Sequence, residues 1–485
     1  MGSELANKQD RTFGNVTVDP LSFGTPVDDP KIEEIIDFEK GIHIRVKEFI
    51  SEKRYQELIP FRTKIKDTID KRPLFGCAIC SKSVYLIANK YKHFFFKHRS
   101  EDGSCPAETR GELSQDEIRA RKYHGLRESE PHKRVKSFIC DSLEADQSFK
   151  EIFVEKQWHS SNNPAHRRQP DVQAKKGFTR YAFEVQLSTT FLDVVVGRKN
   201  FYKEEGAFLI WIMANFDPDY RRMTTDDLLF NNNSNIFVVD SKTVEQSKLT
   251  KKFHLKCYFR VPYKAEGELA DSWQSKFVTF DDLVFDQKNQ CIWYFDYASA
   301  ADLIVKEIRN DLQEKLDREL RQKFISFWIK LHSSEKYDIG EEYENEWLQL
   351  RDALLARKIT IPVNPHDDSN FYAFLHGVLS AELGEPVGWK YKKLIEVGHK
   401  IAEDYPQHIL SFSLAIKKNE RVELLQQQDS SGKWKVRARK INGSIKSGGT
   451  KYHPDLATLP LCQFVFPEIA IVILQKIQTS NPTIK

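Results

Sequence analysis

The segment AFLIWIM at positions 207–213 is apolar at every residue, and it constrains the fold more than any other stretch of the chain. A strand without a polar face must be covered on both sides, as the central strands of parallel sheets are. Four other short segments, rich in β-branched and aromatic residues, predict further strands at 149–158, 171–174, 181–187 and 235–240. We therefore expect a buried sheet in the middle of the chain.

Two helix-like stretches accompany these strands. Residues 131–143 precede the first strand, and residues 191–206 lie between the third and fourth strands and end at a glycine. The predicted order of elements is α-β-β-β-α-β. This order assigns the chain to the α/β (α+β) class.

A long helix is predicted to begin near Ala301, because apolar residues recur there at every fourth position. The residues that form this stripe are Ile304, Ile308, Leu312, Leu316, Leu320 and Phe324. It opens a mostly helical C-terminal region at 301–485, in which residues 364–370 form an internal linker. Before it we predict an N-terminal tail with a helical and strand lead-in at 1–74, a Cys/His-rich module at 75–110 and the sheet domain at 120–300.

The composition argues against a membrane-spanning or exported chain. Charged residues make up 30% of the 485 residues, and the mean hydropathy is −0.55. No apolar run approaches the roughly 20 residues that cross a bilayer, and the polar N-terminus lacks a signal-peptide pattern. Seven cysteines do not suit a disulfide framework, so we expect a reduced, cytoplasmic protein. The net charge of +4 neither demands nor excludes a nucleic-acid partner.

Three of the cysteines lie close together with a histidine between them. Cys77 and Cys80 have a C-x2-C spacing, and His98 and Cys105 follow on one loop. Such a set can complete the tetrahedron that structural Zn²⁺ prefers. His93 is a rival for the third ligand position. The alternative interpretation is that these are ordinary residues of a reduced protein.

Acidic residues follow one another along the predicted strands. Glu155 lies in the first strand, in FVEKQW, Asp171 follows Pro170, and Glu184 and Gln186 lie in the segment FEVQLS. Residues two apart on a strand face the same side, and two carboxylates on adjacent strands can hold one Mg²⁺. Such an ion polarises a phosphodiester and generates hydroxide. Carboxylates on strands are also common as surface residues, but an ionised Glu184 within YAFEVQL is costly unless it is paired.

Several motifs taken together resemble the nuclease region of CoiA-like competence proteins, a branch of the PD-(D/E)XK superfamily. The motifs that carry the resemblance are HKRVK, VEKQ, RRQPDV, FEVQLS, Arg198-x3-Tyr202 and AFLIWIM, preceded by CAIC and FKH. They cover roughly residues 75–215. The resemblance implies a restriction-endonuclease-like αβββαβ core behind a zinc-finger-like module.

The resemblance also implies roles for individual residues. Asp171 and Glu184 would bind a catalytic Mg²⁺ or Mn²⁺, Glu155 would be the acid of the first core strand, and Gln186 stands where the superfamily usually has lysine. The matching positions on the preceding helix are Glu128, His132 and Lys136. The residues expected to contact phosphate or brace the acids are Arg168, Arg198 and Tyr202. Lys136 and Arg198 are the candidates for the missing positive charge, although each outer residue could equally be a solvated or structural side chain.

A basic segment lies near the C-terminus. Residues 430–453 contain seven Lys or Arg residues and no acid. In KWKVRAR, an extended strand would place Lys435, Arg437 and Arg439 on one face, followed by a flexible glycine-rich loop. This strip could hold DNA by neutralising phosphates, or it could be a solvated hairpin.

These features together predict a metal-dependent nuclease that hydrolyses phosphodiester bonds, with DNA as the expected partner and structural zinc upstream. A role in bacterial defence or DNA processing rests on analogy. One alternative is a non-catalytic DNA-binding or recombination protein that retains the fold. Another is an antiphage effector that acts as a homo-oligomer or is triggered by a partner protein of a defence system.

Overall fold

The computed structural model describes residues 16–100, 105–107, 130–187, 192–333, 341–447 and 450–480. The protein is a mixed α/β chain of two compact units, Met1–Arg309 and Asn310–Lys485. The predicted helical character of the C-terminal region is confirmed. Within the described ranges, none of the helices combines the length and the apolar character that a membrane crossing requires.

The elements of the first unit, in chain order, are β1 (Glu34–Asp37), β2 (Ile42–Arg45), α1 (Val46–Ser51), α2 (Tyr55–Thr68), β3 (Phe75–Cys77), β4 (Val84–Ala88), β5 (Phe94–His98), α3 (Glu130–Ala145), β6 (Phe149–Val154), β7 (Trp158–His159), β8 (Arg167–Arg168), β9 (Val172–Lys176), β10 (Thr179–Gln186), α4 (Leu192–Glu204), β11 (Phe208–Met213), α5 (Met223–Asn231), β12 (Asn235–Val238), α6 (Ser241–Thr250), β13 (His254–Ala265), β14 (Glu268–Thr279), β15 (Val284–Asp286) and β16 (Cys291–Trp293).

Helix α7 (Tyr297–Ser333) starts in the first unit and continues into the second. The remaining helices, all in the second unit, are α8 (Glu341–Leu355), α9 (Ser369–Leu383), α10 (Leu394–Asp404), α11 (Ile409–Lys418), α12 (Val422–Gln428), α13 (Lys433–Lys446), α14 (Leu459–Val465) and α15 (Pro467–Ser480).

A seven-stranded sheet organises the first unit, in the order β14-β13-β12-β11-β10-β9-β6. Strand β11 pairs in parallel with β10 and β12, and the other pairings are antiparallel. The apolar segment therefore forms the fourth of seven strands. This is the central position that its lack of a polar face predicts.

Alternate residues of β10 and β11 enter two different cores. Val185 and Ile210 belong to a core that includes residues of α3, β9 and β13. Ala182 packs with Tyr202 of α4 in a smaller cluster. Because strand residues alternate between faces, Glu184 lies on the side of Ala182 and α4.

The N-terminal part of the first unit has its own small sheets. Strands β2, β1 and β3 form one sheet, and β4 and β5 form a hairpin. The stretch predicted as a tail contributes to this part, because the backbone of Phe94 exchanges hydrogen bonds with Val27 and Thr25 at 3.0 and 2.8 Å. The hairpin thereby extends its pairing into residues before β1.

The strand predicted for KWKVRAR is wrong, because this segment begins helix α13. Its apolar residues Trp434, Ala438 and Ile441 recur at spacings of four and three, which is a helical period. Ile441 is buried and Trp434 packs against the core of the second unit. Val436, which a strand would place beside Trp434, is 53% exposed. The first part of the predicted glycine-rich loop is the last turn of this helix.

The apolar stripe of α7 is buried only in its later part. Leu320 and Phe324 belong to the core of the second unit. Leu312 and Leu316, in contrast, are 55% and 45% exposed. The four-residue repeat therefore identified the helix but overstated the length of its buried face.

Candidate functional site

The pairing of β9 with β10 brings the two predicted acids together. Val172 pairs with Phe183 in antiparallel register, so Asp171, just before β9, lies across from Glu184. The backbone N–H of Val185 donates a hydrogen bond to Oδ2 of Asp171 at 2.8 Å. Asp171 contributes to the raised pKa of Glu184, so the two carboxyl groups interact electrostatically.

Glu184 is almost completely buried, at 1% exposure. Burial and the neighbouring Asp171 raise its pKa to about 8, although the nearby Arg198 and a hydrogen bond from Tyr202 oppose this shift. Arg198 forms an ion pair with Oε2 of Glu184, and the hydroxyl of Tyr202 donates to Oε1 at 3.4 Å. Helix α4 thus supplies two donors to one carboxyl group.

Asp171 shows the opposite shift. Burial acts to raise its pKa, but hydrogen bonds from His132 and the Val185 amide outweigh burial, and the pKa lies below its usual range. The Nε2 atom of His132, on α3, lies 3.2 Å from Oδ2 of Asp171. The two neighbouring carboxyl groups thus have opposite pKa shifts, lowered for Asp171 and raised for Glu184.

A second acid–base pair adjoins the carboxylates. Glu155 follows β6 with a positive φ of 48°, a conformation that costs energy for a residue with a Cβ. This ends the strand earlier than the predicted 149–158. The N–H of Glu155 donates to the carbonyl of Asp171 at 3.1 Å, and Nζ of Lys136 lies 2.5 Å from its Oε1. Lys136 and His132 are four residues apart on α3, so one helix face serves both acids.

Gln186 closes β10 and is 5% exposed. It lines a cleft of about 310 Å³ together with residues that follow β11, among them Asn215, Tyr220 and Arg222. This cleft lies at the carboxyl end of two parallel strands, where open α/β sheets commonly bind ligands. Gln186 is therefore placed beside the acids, although it cannot supply the positive charge of a lysine.

Arg168 lies beside α4. It belongs to the short strand β8 and is exposed, and its Nη2 atom is 3.4 Å from the position that a Cβ on Gly197 would occupy. Gly197 directly precedes Arg198, so two guanidinium groups are on the Glu184 side of the sheet. Both are cations that phosphate could contact.

The cysteine and histidine cluster has the geometry of a metal site. The ligand atoms of Cys77, Cys80, His98 and Cys105 all lie within 4.8 Å of one another. The sulfurs of Cys77 and Cys105 are 4.0 Å apart, and Sγ of Cys80 is 3.4 Å from Nε2 of His98. A tetrahedral zinc ion would place such atoms about 3.6–3.8 Å apart. The four residues could therefore hold a metal ion such as zinc.

The rival ligand His93 lies in the turn between β4 and β5 and is not part of this cluster. Burial raises the pKa of the Cys105 thiol to about 11, and neighbouring thiols add to the shift. Within the described residues, no other group of three or more His, Cys, Asp and Glu side chains has this proximity. Any site at Asp171 and Glu184 is therefore a two-carboxylate site.

The structure thus gathers most of the predicted site residues of the first unit. Those on or beside the same sheet edge are Lys136, Glu155, Arg168, Asp171, Glu184, Gln186, Arg198 and Tyr202. Lys435, Arg437 and Arg439 lie in the second unit, and Glu128 lies outside the described residues. The contact of His132 with Asp171 was not anticipated, although the family resemblance had marked His132 on the preceding helix and it lies four residues before Lys136.

Two family models without a known role match parts of the chain. Residues 115–298 match the model of a domain of unknown function, DUF6035, and residues 41–112 match a second one, DUF7830. The first match includes both carboxylates, and the second includes all four residues of the cysteine cluster. No curated protein and no solved structure matches the chain.

Proposed function

We propose that the first unit is a metal-dependent nuclease of the PD-(D/E)XK type, similar to CoiA-like proteins, that hydrolyses phosphodiester bonds in DNA. The observation that carries this proposal is that Asp171 and the buried Glu184 lie across from each other at adjoining strand ends. The order α3-β6-β9-β10-α4-β11 supports it, since this is the αβββαβ order expected of such a core. A place in DNA processing or bacterial defence is part of the proposal and rests on analogy.

The donor set fits a hard divalent cation. Asp171 and Glu184 offer carboxylate oxygens, which Mg²⁺ and Mn²⁺ prefer, and Mg²⁺ commonly takes only one or two carboxylates from the protein. The raised pKa of Glu184 is also consistent with a cation site, because a proton held by a buried carboxyl pair occupies a position that a divalent cation could take. Such an ion, when bound, would polarise the phosphate and lower the pKa of an attacking water.

The surrounding side chains have distinct roles in this proposal. His132 and the Val185 amide fix the orientation of Asp171. Arg198 and Tyr202 hold Glu184 in place from α4. Lys136, whose side chain is 5% exposed, places an ammonium group beside Glu155, and we assign it the charge-stabilising role that lysine has elsewhere in the superfamily. Arg168 would contact the phosphate backbone.

A nicking assay on plasmid DNA tests the proposal. Wild type, Asp171→Asn and Glu184→Gln are compared with Mg²⁺, Mn²⁺ and chelator. We expect both substitutions to lower the rate by more than about 100-fold, because each removes a metal-binding charge while keeping the side-chain shape. The matched control is Glu151→Gln, an exposed acid of β6 paired with Lys175, which should cleave like wild type.

Equal rates for wild type and the two site variants would show that the carboxylates are not catalytic. One observation favours the non-catalytic alternative: Arg198 already compensates the charge of Glu184, as a fold retained only for binding would require. That alternative predicts salt-dependent DNA binding without cleavage in either metal.

A further inference from the structure

A groove lies between helices α11, α12 and α13 of the second unit. These helices are far in sequence from Asp171 and Glu184. The groove encloses about 790 Å³, within the roughly 300–1,000 Å³ typical of ligand sites. The residues that line it come from α11, α12, α13 and the loop before α13. No motif of the first unit contributes to it.

The floor of the groove is apolar and aromatic. Phe412, Ile416 and Leu425 are buried there, and Trp434 lines the groove while half-buried. The ring of Trp434 contacts His399 and Phe412 with its plane nearly perpendicular to theirs, at 87° and 89°. Among the described residues, no aromatic ring stacks parallel on it. Because Trp434 lines the groove and is only half-buried, we expect part of its ring to be accessible to a flat ligand.

Three cations surround this floor. Lys417 belongs to α11, and Lys435 and Arg439 are four residues apart on α13. None of the three forms an ion pair with a carboxylate of the described chain. Arg437 lies differently, because its guanidinium contacts Glu403 and the carbonyl of His399. Lys435 and Arg439 therefore line the groove, whereas Arg437 lies on a different face of α13.

Asp429 is the one carboxylate among the lining residues. Its oxygens accept hydrogen bonds from the backbone N–H groups of Trp434 and Lys435 at 3.1 and 2.9 Å. Its charge is thus engaged in capping the start of α13, where a negative group is stabilised. The groove as a whole remains complementary to an anion.

We propose that this groove binds single-stranded nucleic acid, with phosphates on Lys417, Lys435 and Arg439 and a base against Trp434. Cations along a groove with an aromatic platform are the features that hold unpaired strands without reading sequence. A duplex would not satisfy the aromatic floor, because its base faces are already stacked. The inference does not rest on the proposed nuclease activity, since the groove lies wholly within the second unit.

Fluorescence anisotropy tests this with the full-length protein and a labelled oligothymidylate of about 10 nucleotides, a length suited to such sites. Chelator is present throughout, so that cleavage does not contribute. We expect Lys435→Glu/Arg439→Glu to weaken binding at least tenfold. The matched control is Lys433→Glu/Lys440→Glu, which makes the same charge change on the same helix but beside Arg437.

The control should bind within about twofold of wild type, and Trp434→Leu should bind less well than Trp434→Phe. Removing two phosphate contacts should also reduce the salt slope by about 1.4, at about 0.7 per contact. Equal losses in the two charge variants, or none in either, would overturn the proposal. The proposal would also be overturned if free thymidine monophosphate displaced the labelled oligothymidylate fully at the same concentration as unlabelled oligothymidylate does. Tighter binding of a DNA duplex than of the single strand would overturn it as well. The oligonucleotide assay contains chelator and measures binding alone, so a failed cleavage assay and a failed binding assay remain distinguishable.

Discussion

Arg198 forms an ion pair with Glu184 across the space between α4 and β10. The side chain of Arg198 is 31% exposed and that of Glu184 is 1% exposed, so the ion pair extends from the protein surface into the interior. Breaking a buried pair costs more than the pair contributes, because one charge is left desolvated. Burial raises the pKa of this carboxyl group even with the guanidinium beside it, which connects its ionisation to the stability of the fold.

In the presence of a metal chelator, the free energy of unfolding of the protein should fall as the pH rises. The pKa of Glu184 is raised from 4.5 to about 8 in the folded protein, so the folded state binds the proton more tightly than the unfolded state. The resulting stabilisation is fully present below about pH 4.5 and is lost as the pH rises through about 8. We expect a loss on the order of 4 kcal/mol over this window, measured by urea unfolding at a series of pH values.

Glu184→Gln is the control for that series, because glutamine cannot ionise. Its stability should change less between pH 5 and pH 8 than that of wild type, after allowance for other titrating groups. Parallel curves for the two proteins would show that Glu184 ionises normally. Added Mg²⁺ should lessen the loss only if the ion binds at this site.

Lys136→Met should lower DNA cleavage by at least about tenfold, if the proposed activity is correct. The substitution keeps the length and apolar stem of the side chain but removes the ammonium group beside Glu155. Lys133→Met is the matched variant, since Lys133 is an exposed residue of the same helix, paired with Glu130. A plasmid-nicking rate that falls equally in both variants would contradict a specific role for Lys136.

Zinc content should depend on His98 and not on His93. Purified wild type should contain one zinc per chain by atomic absorption, and His98→Gln and Cys80→Ser should lose it. His93→Gln and Cys140→Ser should retain it, because neither residue belongs to the cluster. Metal removal should lower the melting temperature of the first unit, since binding energy at a structural site is folding energy. Unchanged zinc in Cys80→Ser would exclude this ligand set.

The helical state of residues 433–446 can be tested by two lysine substitutions. Ile441→Lys should destabilise the second unit by about 2 kcal/mol or more, because it buries a charge that has no partner. Val436→Lys should change stability by less than about 0.5 kcal/mol, because Val436 is exposed on the helix. An extended strand would place Val436 on the apolar face with Trp434, and Ile441 on the opposite face, which would reverse this order. Thermal unfolding followed by circular dichroism distinguishes the two results.

Local patterns alone identified much of the fold. The apolar run at 207–213 required a central strand, and Gly206, with its φ of +66°, terminates the helix before it as predicted. The spacing of Cys77, Cys80, His98 and Cys105 was sufficient to propose a metal cluster, because C-x2-C fixes two ligands within one turn. At 433–446, however, the alternating charges suggested a strand, while the helical spacing of Trp434, Ala438 and Ile441 decided the outcome through burial.

The sequence by itself determined that the chain has a buried mixed sheet, a cysteine and histidine module and two acids on neighbouring strands, because these properties depend on periodicity and short spacings. Only the tertiary structure decided which distant groups meet those acids. His132 reaches Asp171 over 39 positions in the chain, and Arg198 reaches Glu184 from a separate helix. These contacts depend on strand register and on how helices pack against the sheet. They set the opposite pKa shifts of the two carboxyl groups, because burial and nearby charge arise only when the chain is folded.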